Sequence, residues 1–357
     1  MRLAVFVLAV SACFAASDGS STEAASTWNG KSAAAYLDYR ADWWSTWSRS
    51  QRDHGTFCTS CHTSVPYALA RPALWNALGE TGPGEQERKM IANITTRVRG
   101  WNQMEPFYSD KSGPGKAAES RGVEAVLNAL VLASYDARAG RFGGDARLAL
   151  ENMWSLQKQD GAWPWFDFHN APWENDKSPY WGAALAVYAA SFAPPEYRRQ
   201  VHEKLQLAID YLKKNRDSQI DFNKIFLLYA AARMPDLLSA AEKKSILAEL
   251  RGKQQADGGW TLSALIGDWT RNDKTPLETR SDGYATGLVS YAFEQSGVRR
   301  DDPSLKRGLA WLAGHQDKAE GFWPAWSVNK QRDPASEIGR FMADAATSYA
   351  VLALTSK

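Results

Sequence analysis

The chain has 357 residues, of which 44% are hydrophobic, so it is long enough to bury a sizeable core. Its 42 basic and 40 acidic residues give a net charge of +2, so neither nucleic acid nor an anionic surface is indicated as a partner. After the N-terminus no apolar run reaches transmembrane length, and no later segment is expected to span a bilayer. Sixteen tryptophans are the conspicuous excess.

The N-terminus has the pattern of an export signal, predicted over residues 1–16. Arg2 supplies the positive start and Leu3 to Val10 the apolar run. The signal has two possible ends: a lipoprotein-type end before Cys13, which would place a lipid anchor on that cysteine, or an ordinary signal-peptidase site just after it. The mature protein is expected outside the cytoplasm, in a periplasm or secreted. Residues 17–30 are rich in Ser, Ala and Gly and are predicted to be a flexible linker.

A Cys-x-x-Cys-His motif follows the first predicted helix, at Cys58, Cys61 and His62. This pattern is typical of covalent c-type haem attachment, in which two thiols bond the haem vinyl groups and the histidine is the proximal iron ligand. Such attachment requires that the protein be exported. Met104 and His54 are the candidates for a sixth iron ligand, although Met104 could equally be a loop residue that fills a gap.

Two other interpretations of the motif stay open. Cys58 and Cys61 could form a disulfide in an oxidising compartment. Together with His62 and His54 they could also form a zinc site, although no other residue here matches zinc spacing.

Apolar periodicity predicts a chain of helices with no clear strand. Residue Pro72 interrupts one of them, and Thr81-Gly82-Pro83-Gly84 is a break. The predicted helices are 36–47, 65–78, 85–99, 119–136, 146–157, 180–192, 196–214, 222–233, 240–255, 284–295, 304–315 and 341–355.

One turn motif recurs at the ends of three of these helices. It runs from Gln157 to Trp163, from Gln254 to Trp260 and from His315 to Trp323. Glycine accepts the left-handed conformation that ends a helix, and tryptophan covers the joint with apolar area. A second apolar helix follows each turn, so the repeating unit is a helical hairpin that needs neighbours to bury both its faces.

These turns resemble the QW repeats of squalene–hopene cyclases and the related repeats of protein prenyltransferase β subunits. The likeness covers about Ala117 to Leu354. It implies an all-α fold, the α/α toroid, in which inner helices ring a central cavity. A subgroup of exported bacterial proteins is similar in placing a Cys-x-x-Cys-His-Thr segment before such repeats, as Cys58 to Thr63 does here.

The catalytic motifs of those families do not occur in this chain. The Asp-x-Asp-Asp acid of the cyclases is absent, as is the Asp-Asp-x-x-Asp segment of class I terpene synthases. No cysteine follows Cys61 to supply a prenyltransferase-type zinc ligand. The chemistry of these families therefore does not transfer to this sequence.

The most aromatic loop, Trp165 to Glu174, is the best candidate for a pocket rim. Asp167, His169 and Glu174 lie in it, and a carboxylate beside an imidazole could perform acid–base chemistry. The alternative is a well-packed loop whose tryptophans cover helix ends.

The sequence thus predicts an N-terminal helical segment over residues 31–84 and an α/α toroid over 85–357. The expected function is an exported toroid that carries haem c, binds a hydrophobic small molecule or transfers electrons to a redox partner, and contacts a membrane only through an anchor at Cys13. One alternative is an enzyme acting on an apolar, isoprenoid-like substrate. The other is a structural module closed by a disulfide.

Overall fold

A computed structural model describes residues 28–356 of the protein. These residues form helices and no β-strand, which confirms the all-α prediction for this part of the chain. The predicted signal peptide and Cys13 lie outside the described residues. The α-helices are α1 (Gly30–Thr46), α2 (Ser64–Ala70), α3 (Trp75–Leu78), α4 (Glu85–Arg99), α5 (Lys116–Arg138), α6 (Gly144–Ser155), α7 (Ser178–Ser191), α8 (Pro195–Gln200), α9 (His202–Asn215), α10 (Asp221–Arg233), α11 (Ala240–Gly252), α12 (Gly283–Gln295), α13 (Pro303–Gly314) and α14 (Phe341–Thr355).

Two helices differ clearly from their predicted bounds, and one predicted interruption is confirmed. The helix predicted over 196–214 is two helices, because the backbone leaves the helical region at Val201 (φ −106°, ψ 19°). The chain between Ala70 and Trp75 tightens into a 3-10 turn around Pro72, where the helix was expected to be interrupted. Helix α1 begins at Gly30, because the Asn29 side chain accepts hydrogen bonds from the first free backbone N–H groups.

The helices fall into two classes by burial. Six of them, named here the core helices, are buried on nearly all faces: α2, α5, α7, α10, α12 and α14. The others bury one face and expose the opposite one, as amphipathic surface helices do. Each core helix follows a surface helix along the chain, so the repeating unit is a surface helix paired with a core helix.

Contacts between the core helices run in a closed succession. Helix α5 packs on α7, α7 on α10, α10 on α12, and α12 on α14. Helix α2 contacts both α14 and α5, so the succession returns to its start. Helices α1 and α2, which the sequence placed outside the repeats, therefore pack into them as a further pair.

The three tryptophan turns are structurally equivalent. Each indole is almost fully buried. Each donates a hydrogen bond from Nε1, at 2.7 Å, to a carbonyl in the last turn of the preceding surface helix: Trp163 to Met153, Trp260 to Leu250 and Trp323 to Leu312. Each of these carbonyls also accepts a backbone N–H at 3.2–3.3 Å, so the indole adds a second, shorter hydrogen bond at the helix end.

The glutamine of each turn joins its own hairpin to the next surface helix. Its Nε2 group donates to the glycine carbonyl of the same turn and to a carbonyl at the start of that helix. The second acceptors are Lys204 for Gln157 (2.9 Å), Ser304 for Gln254 (2.8 Å) and Asn29 for Gln316 (3.0 Å). Because Asn29 caps α1, the last turn of the chain is bonded to its first described helix. Residues 28–30, predicted to belong to a flexible linker, are therefore part of the fold, and the Trp28 ring lies 6.0 Å from that of Trp323.

Replacing the turn glycine is expected to destabilise the protein for two separate reasons. Gly161 has φ +94°, and a Cβ there would lie 2.3 Å from the Leu207 carbonyl oxygen of the neighbouring helix. Gly161→Ala should therefore add a steric cost of about 1–3 kcal/mol to the left-handed backbone cost of about 1–2 kcal/mol. Gly297→Ala is the matched control, because Gly297 has φ +83° with no atom near its Cβ position. Urea unfolding of both variants measures the difference, and equal losses would contradict the proposed packing of the joint.

Candidate functional site

The Cys-x-x-Cys-His motif lies in the connection between α1 and α2, which is the place that the tryptophan turns occupy in other pairs. The Cys58 backbone N–H donates to the Ser50 carbonyl (2.8 Å), and the Trp44 indole donates to the Cys58 carbonyl (2.7 Å). The Ser60 hydroxyl accepts from the backbone N–H groups of Thr63 and Ser64 at the start of α2. These bonds fix the motif against the end of a core helix.

Both cysteines are buried free thiols, with 9% of Cys58 and 7% of Cys61 exposed. Burial raises the pKa of Cys58 to about 12. Burial and then the nearby Glu174 carboxylate raise the pKa of Cys61. Neither thiol is therefore activated as a free nucleophile at neutral pH.

The His62 imidazole is surrounded by aromatic rings. It stacks on Phe341 at 4.0 Å between ring centroids, meets the edge of Trp44 at 4.9 Å, and lies 5.8 Å from Trp173. Burial and the charge of Arg40 lower the pKa of His62 to about 3. The ring is therefore neutral at physiological pH.

A hydrogen-bond relay fixes the tautomer of His62. Its Nδ1 lies 2.8 Å from the Thr63 hydroxyl oxygen, and that hydroxyl donates to the Asp344 carboxylate at 2.6 Å. Because Thr63 has a single hydroxyl proton and gives it to Asp344, His62 must be the donor at Nδ1. The lone pair of the imidazole is then at Nε2, which has no hydrogen-bond partner among the described residues.

Asp344 is the anchor of this relay. It accepts from Arg40 Nε (2.7 Å), from the Tyr36 hydroxyl (2.9 Å) and from Thr63. Burial raises the pKa of Asp344, whereas Arg40, Thr63 and Tyr36 favour its ionised form, and the ion pair with Arg40 supports a carboxylate at this position. Sequence reasoning did not connect Asp344 with the motif, because 281 residues separate it from Thr63.

The aromatic loop and the cysteine motif, predicted as separate sites, lie together. Trp173 contacts the His62 ring, and the charge of the adjacent Glu174 acts on both thiols. Burial raises the pKa of Glu174 to about 7. His62 and Glu174 are both partly exposed, so this group of residues is reached from the protein surface. The cysteine recess is defined here by Cys58, Cys61, His62, Trp173 and Glu174.

The other two residues of the predicted acid–base group lie elsewhere. Asp167 and His169 are exposed, and the His169 ring packs on Trp269 at 4.5 Å between centroids. Asp167 accepts from the His169 backbone N–H, which is a local turn contact. The hairpin of the loop directs Glu174 inward and these two residues outward, so the three do not form one site.

Neither candidate for the sixth iron ligand contacts His62 through a hydrogen bond or ring contact. Met104 is buried, and its side chain lies over Gly100, where a Cβ would meet its Cε at 2.8 Å. The His54 side chain is 58% exposed and bonds Asp53 at 3.0 Å. Across residues 28–356, no group of three or more His, Cys, Asp or Glu side chains is arranged to hold a metal ion, so the geometry gives the zinc interpretation no support.

A second candidate site is a cavity of about 290 Å³ among the core helices. All six contribute to its wall, and nearly all of the contributing residues lie in or just after their C-terminal halves. The core helices therefore run parallel, with the cysteine recess at their N-terminal ends and the cavity at the other. The aromatic residues on the cavity wall are Tyr188, Phe192, Phe226, Tyr229, Tyr291 and Tyr349.

Comparisons with protein-family models and with curated proteins found no match to this chain. Within residues 28–356, no helix is both long enough and apolar enough to cross a membrane.

The buried carboxyl group of Glu174 is expected to make stability depend on pH. Its folded pKa of about 7 lies above the unfolded value of 4.5, so the folded state holds the proton more tightly and stability falls as pH rises between these values. Glu174→Gln removes this loss, and the variant should gain about 2 kcal/mol relative to the parent protein between pH 4.5 and 8. Denaturant unfolding of both proteins across this range measures the gain. A difference that stays constant with pH would contradict the burial of Glu174.

Proposed function

We propose that the chain is an α/α toroid of the squalene-cyclase and prenyltransferase type, exported from the cytoplasm. The closed succession of core-helix contacts supports a ring. The bond from Gln316 to Asn29 also supports a ring. It joins the last helix pair to the first in the same way as Gln157 and Gln254 join neighbouring pairs. In this arrangement α1 and α2 form the sixth pair.

The function we propose for the cysteine recess is the attachment of haem c, with a role in electron transfer. The observation that carries this is the His62 relay: Nδ1 donates to Thr63, Thr63 donates to Asp344, and Nε2 is left with a lone pair and no partner. Histidines that bind a metal commonly donate their other ring N–H in this way, which fixes the ring and raises its basicity. The residues therefore fit an iron-ligating histidine beside two thiols.

Each residue has a separate task in this proposal. Cys58 and Cys61 would hold the haem covalently, and His62 would ligate its iron, which when bound supplies one-electron redox chemistry. Phe341 and Trp44 fix the plane of the imidazole and exclude water from it. Burial and the charge of Arg40 keep His62 neutral, and the relay holds it in one tautomer. Glu174 places a titratable carboxyl beside the thiols.

A second candidate function is the binding of a hydrophobic small molecule, and the cavity favours it. Its wall is mostly aromatic and aliphatic, as in many small-molecule sites. No Asp or Glu is among the described residues that line it, and the predicted acid–base residues Asp167 and His169 are exposed. Ligand binding is therefore better supported than acid-initiated turnover of an isoprenoid.

Haem attachment is tested by producing the protein in a host that has the c-type attachment machinery. The purified protein is expected to show a Soret band that remains with the polypeptide after denaturation. The Cys58→Ala/Cys61→Ala double variant should lose this covalent pigment. His62→Ala should alter the spectrum, whereas the control His54→Ala, at an exposed position, should not.

A colourless protein from such a host would overturn the haem proposal. Mass spectrometry of that product then examines the alternative, because a Cys58–Cys61 disulfide makes the chain two hydrogen atoms lighter than the dithiol. Circular dichroism of each variant checks that loss of pigment is not loss of folding.

A further inference from the structure

The mouth of the central cavity carries two guanidinium groups that have no acidic partner. Arg138, in the last turn of α5, makes no hydrogen bond or ion pair among the described residues, although it lines the cavity. Arg233, in the last turn of α10, donates only to the Ser191 hydroxyl (3.0 Å) and lies over the Phe192 ring at 4.1 Å. Both side chains are exposed, so two charges without an acidic partner lie at the opening of the cavity.

Carboxylates on neighbouring helix ends pair with other residues. Asp136 pairs with Arg141 at 2.9 Å, and Glu294 pairs with Arg300 at 3.0 Å. Arg138 and Arg233 line the same cavity as Tyr188, and the charges of both oppose the rise that burial causes in the pKa of Tyr188. The mouth therefore has two positive charges and no acidic side chain in its lining.

The interior offers an apolar surface with hydroxyl groups. Tyr349 is 3% exposed and lines the cavity, yet its hydroxyl makes no hydrogen bond among residues 28–356. This hydroxyl lies in the cavity lining and is available to hydrogen-bond an occupant. Leu185 and Leu352 complete an aliphatic and aromatic wall.

The cavity volume limits the occupant. A volume of about 290 Å³ lies at the lower end of the range of about 300–1,000 Å³ that is usual for small-molecule pockets. The cavity therefore suits a compact molecule.

We infer that the cavity binds a small amphiphilic anion, with its carboxylate held at Arg138 and Arg233 and its apolar body among the tyrosines. The inference rests on the proposed ligand-binding function and adds the charge and size of the ligand. The C-terminal ends of the core helices oppose an anion, since each carries about half a negative charge. The effect of each helix end falls off within its last turn. The two guanidinium groups can therefore still hold a carboxylate at the mouth, because each carries a full charge and can bind it through two hydrogen bonds.

Three probes of equal length and different head groups test the inference: octanoate, 1-octanol and octylammonium. Calorimetric titration at low salt is expected to give a dissociation constant for octanoate at least about tenfold below that for octanol, as expected for hydrogen bonds to a charged group. Octylammonium should bind more weakly than octanol. Sodium chloride should reduce the preference for octanoate.

Variants test where the probes bind, and they separate the preference for an anion from ligand binding in the cavity. Arg138→Gln and Arg233→Gln should abolish the preference for octanoate and leave the affinity for octanol unchanged. Arg99→Gln is the control, because Arg99 also lies in the last turn of a helix, is exposed and does not line the cavity. Ala137→Trp, at a partly exposed position of the cavity wall, should block binding of octanoate and octanol.

Each failure has a distinct meaning. If octanol or octylammonium binds as tightly as octanoate, the anion inference is wrong while ligand binding stands. If no probe binds, or if Ala137→Trp has no effect, both the proposed ligand binding in this cavity and the inference are overturned.

Discussion

The bond between each turn glutamine and the next surface helix is the constraint on which the rest of the structure depends. A single helical hairpin leaves one apolar face open, and it becomes stable only when a neighbour covers that face. Gln157 and Gln254 set the distance between neighbours by joining two backbone carbonyls through one amide group. The glycine beside each glutamine allows the closest approach, since any Cβ there would meet the adjoining helix.

Repetition of this joint gives the core helices one direction. Their N-terminal ends meet the long connections, including the cysteine motif and the aromatic loop, while their C-terminal ends surround the cavity. Parallel helices place partial positive charge at the first end and partial negative charge at the second. The cysteine recess and the cavity therefore lie in different electrostatic environments within one fold.

Aromatic side chains connect these two ends. The His62 ring lies 5.8 Å from Trp173, Trp173 lies 5.8 Å from Tyr284, and Tyr284 lies 5.7 Å from Tyr349 on the cavity wall. The Trp173 indole also donates to the Tyr284 hydroxyl at 3.0 Å. Tryptophan and tyrosine suit this position because they fill the space between helices and still bond their polar groups. The many tryptophans of this chain thus lie at the joints between helices and along the interior of the fold.

Local patterns in the sequence were enough to predict the helices and the three turns. Helix 85–99 and helix 341–355 have the predicted bounds, because apolar periodicity and capping residues act within a few residues of one another. The adjacency of Cys58, Cys61 and His62 was equally visible, since the motif is continuous. The bond from Gln316 to Asn29 was not, because it joins residues 287 positions apart and no periodicity specifies which helix follows the last turn.

The tertiary structure also decided which candidate residues belong together. Glu174 lies beside the cysteines, whereas Asp167 and His169, a few residues earlier, face solvent. The hairpin of the loop determines these orientations, and the residue types alone do not predict them. Sequence alone determined which chemical groups the chain carries and the positions of most of its helices to within about three residues. Packing of distant helices determined that Asp344 orients His62 through Thr63, and that Arg138 and Arg233 face one cavity, because such contacts depend on the closure of the whole fold.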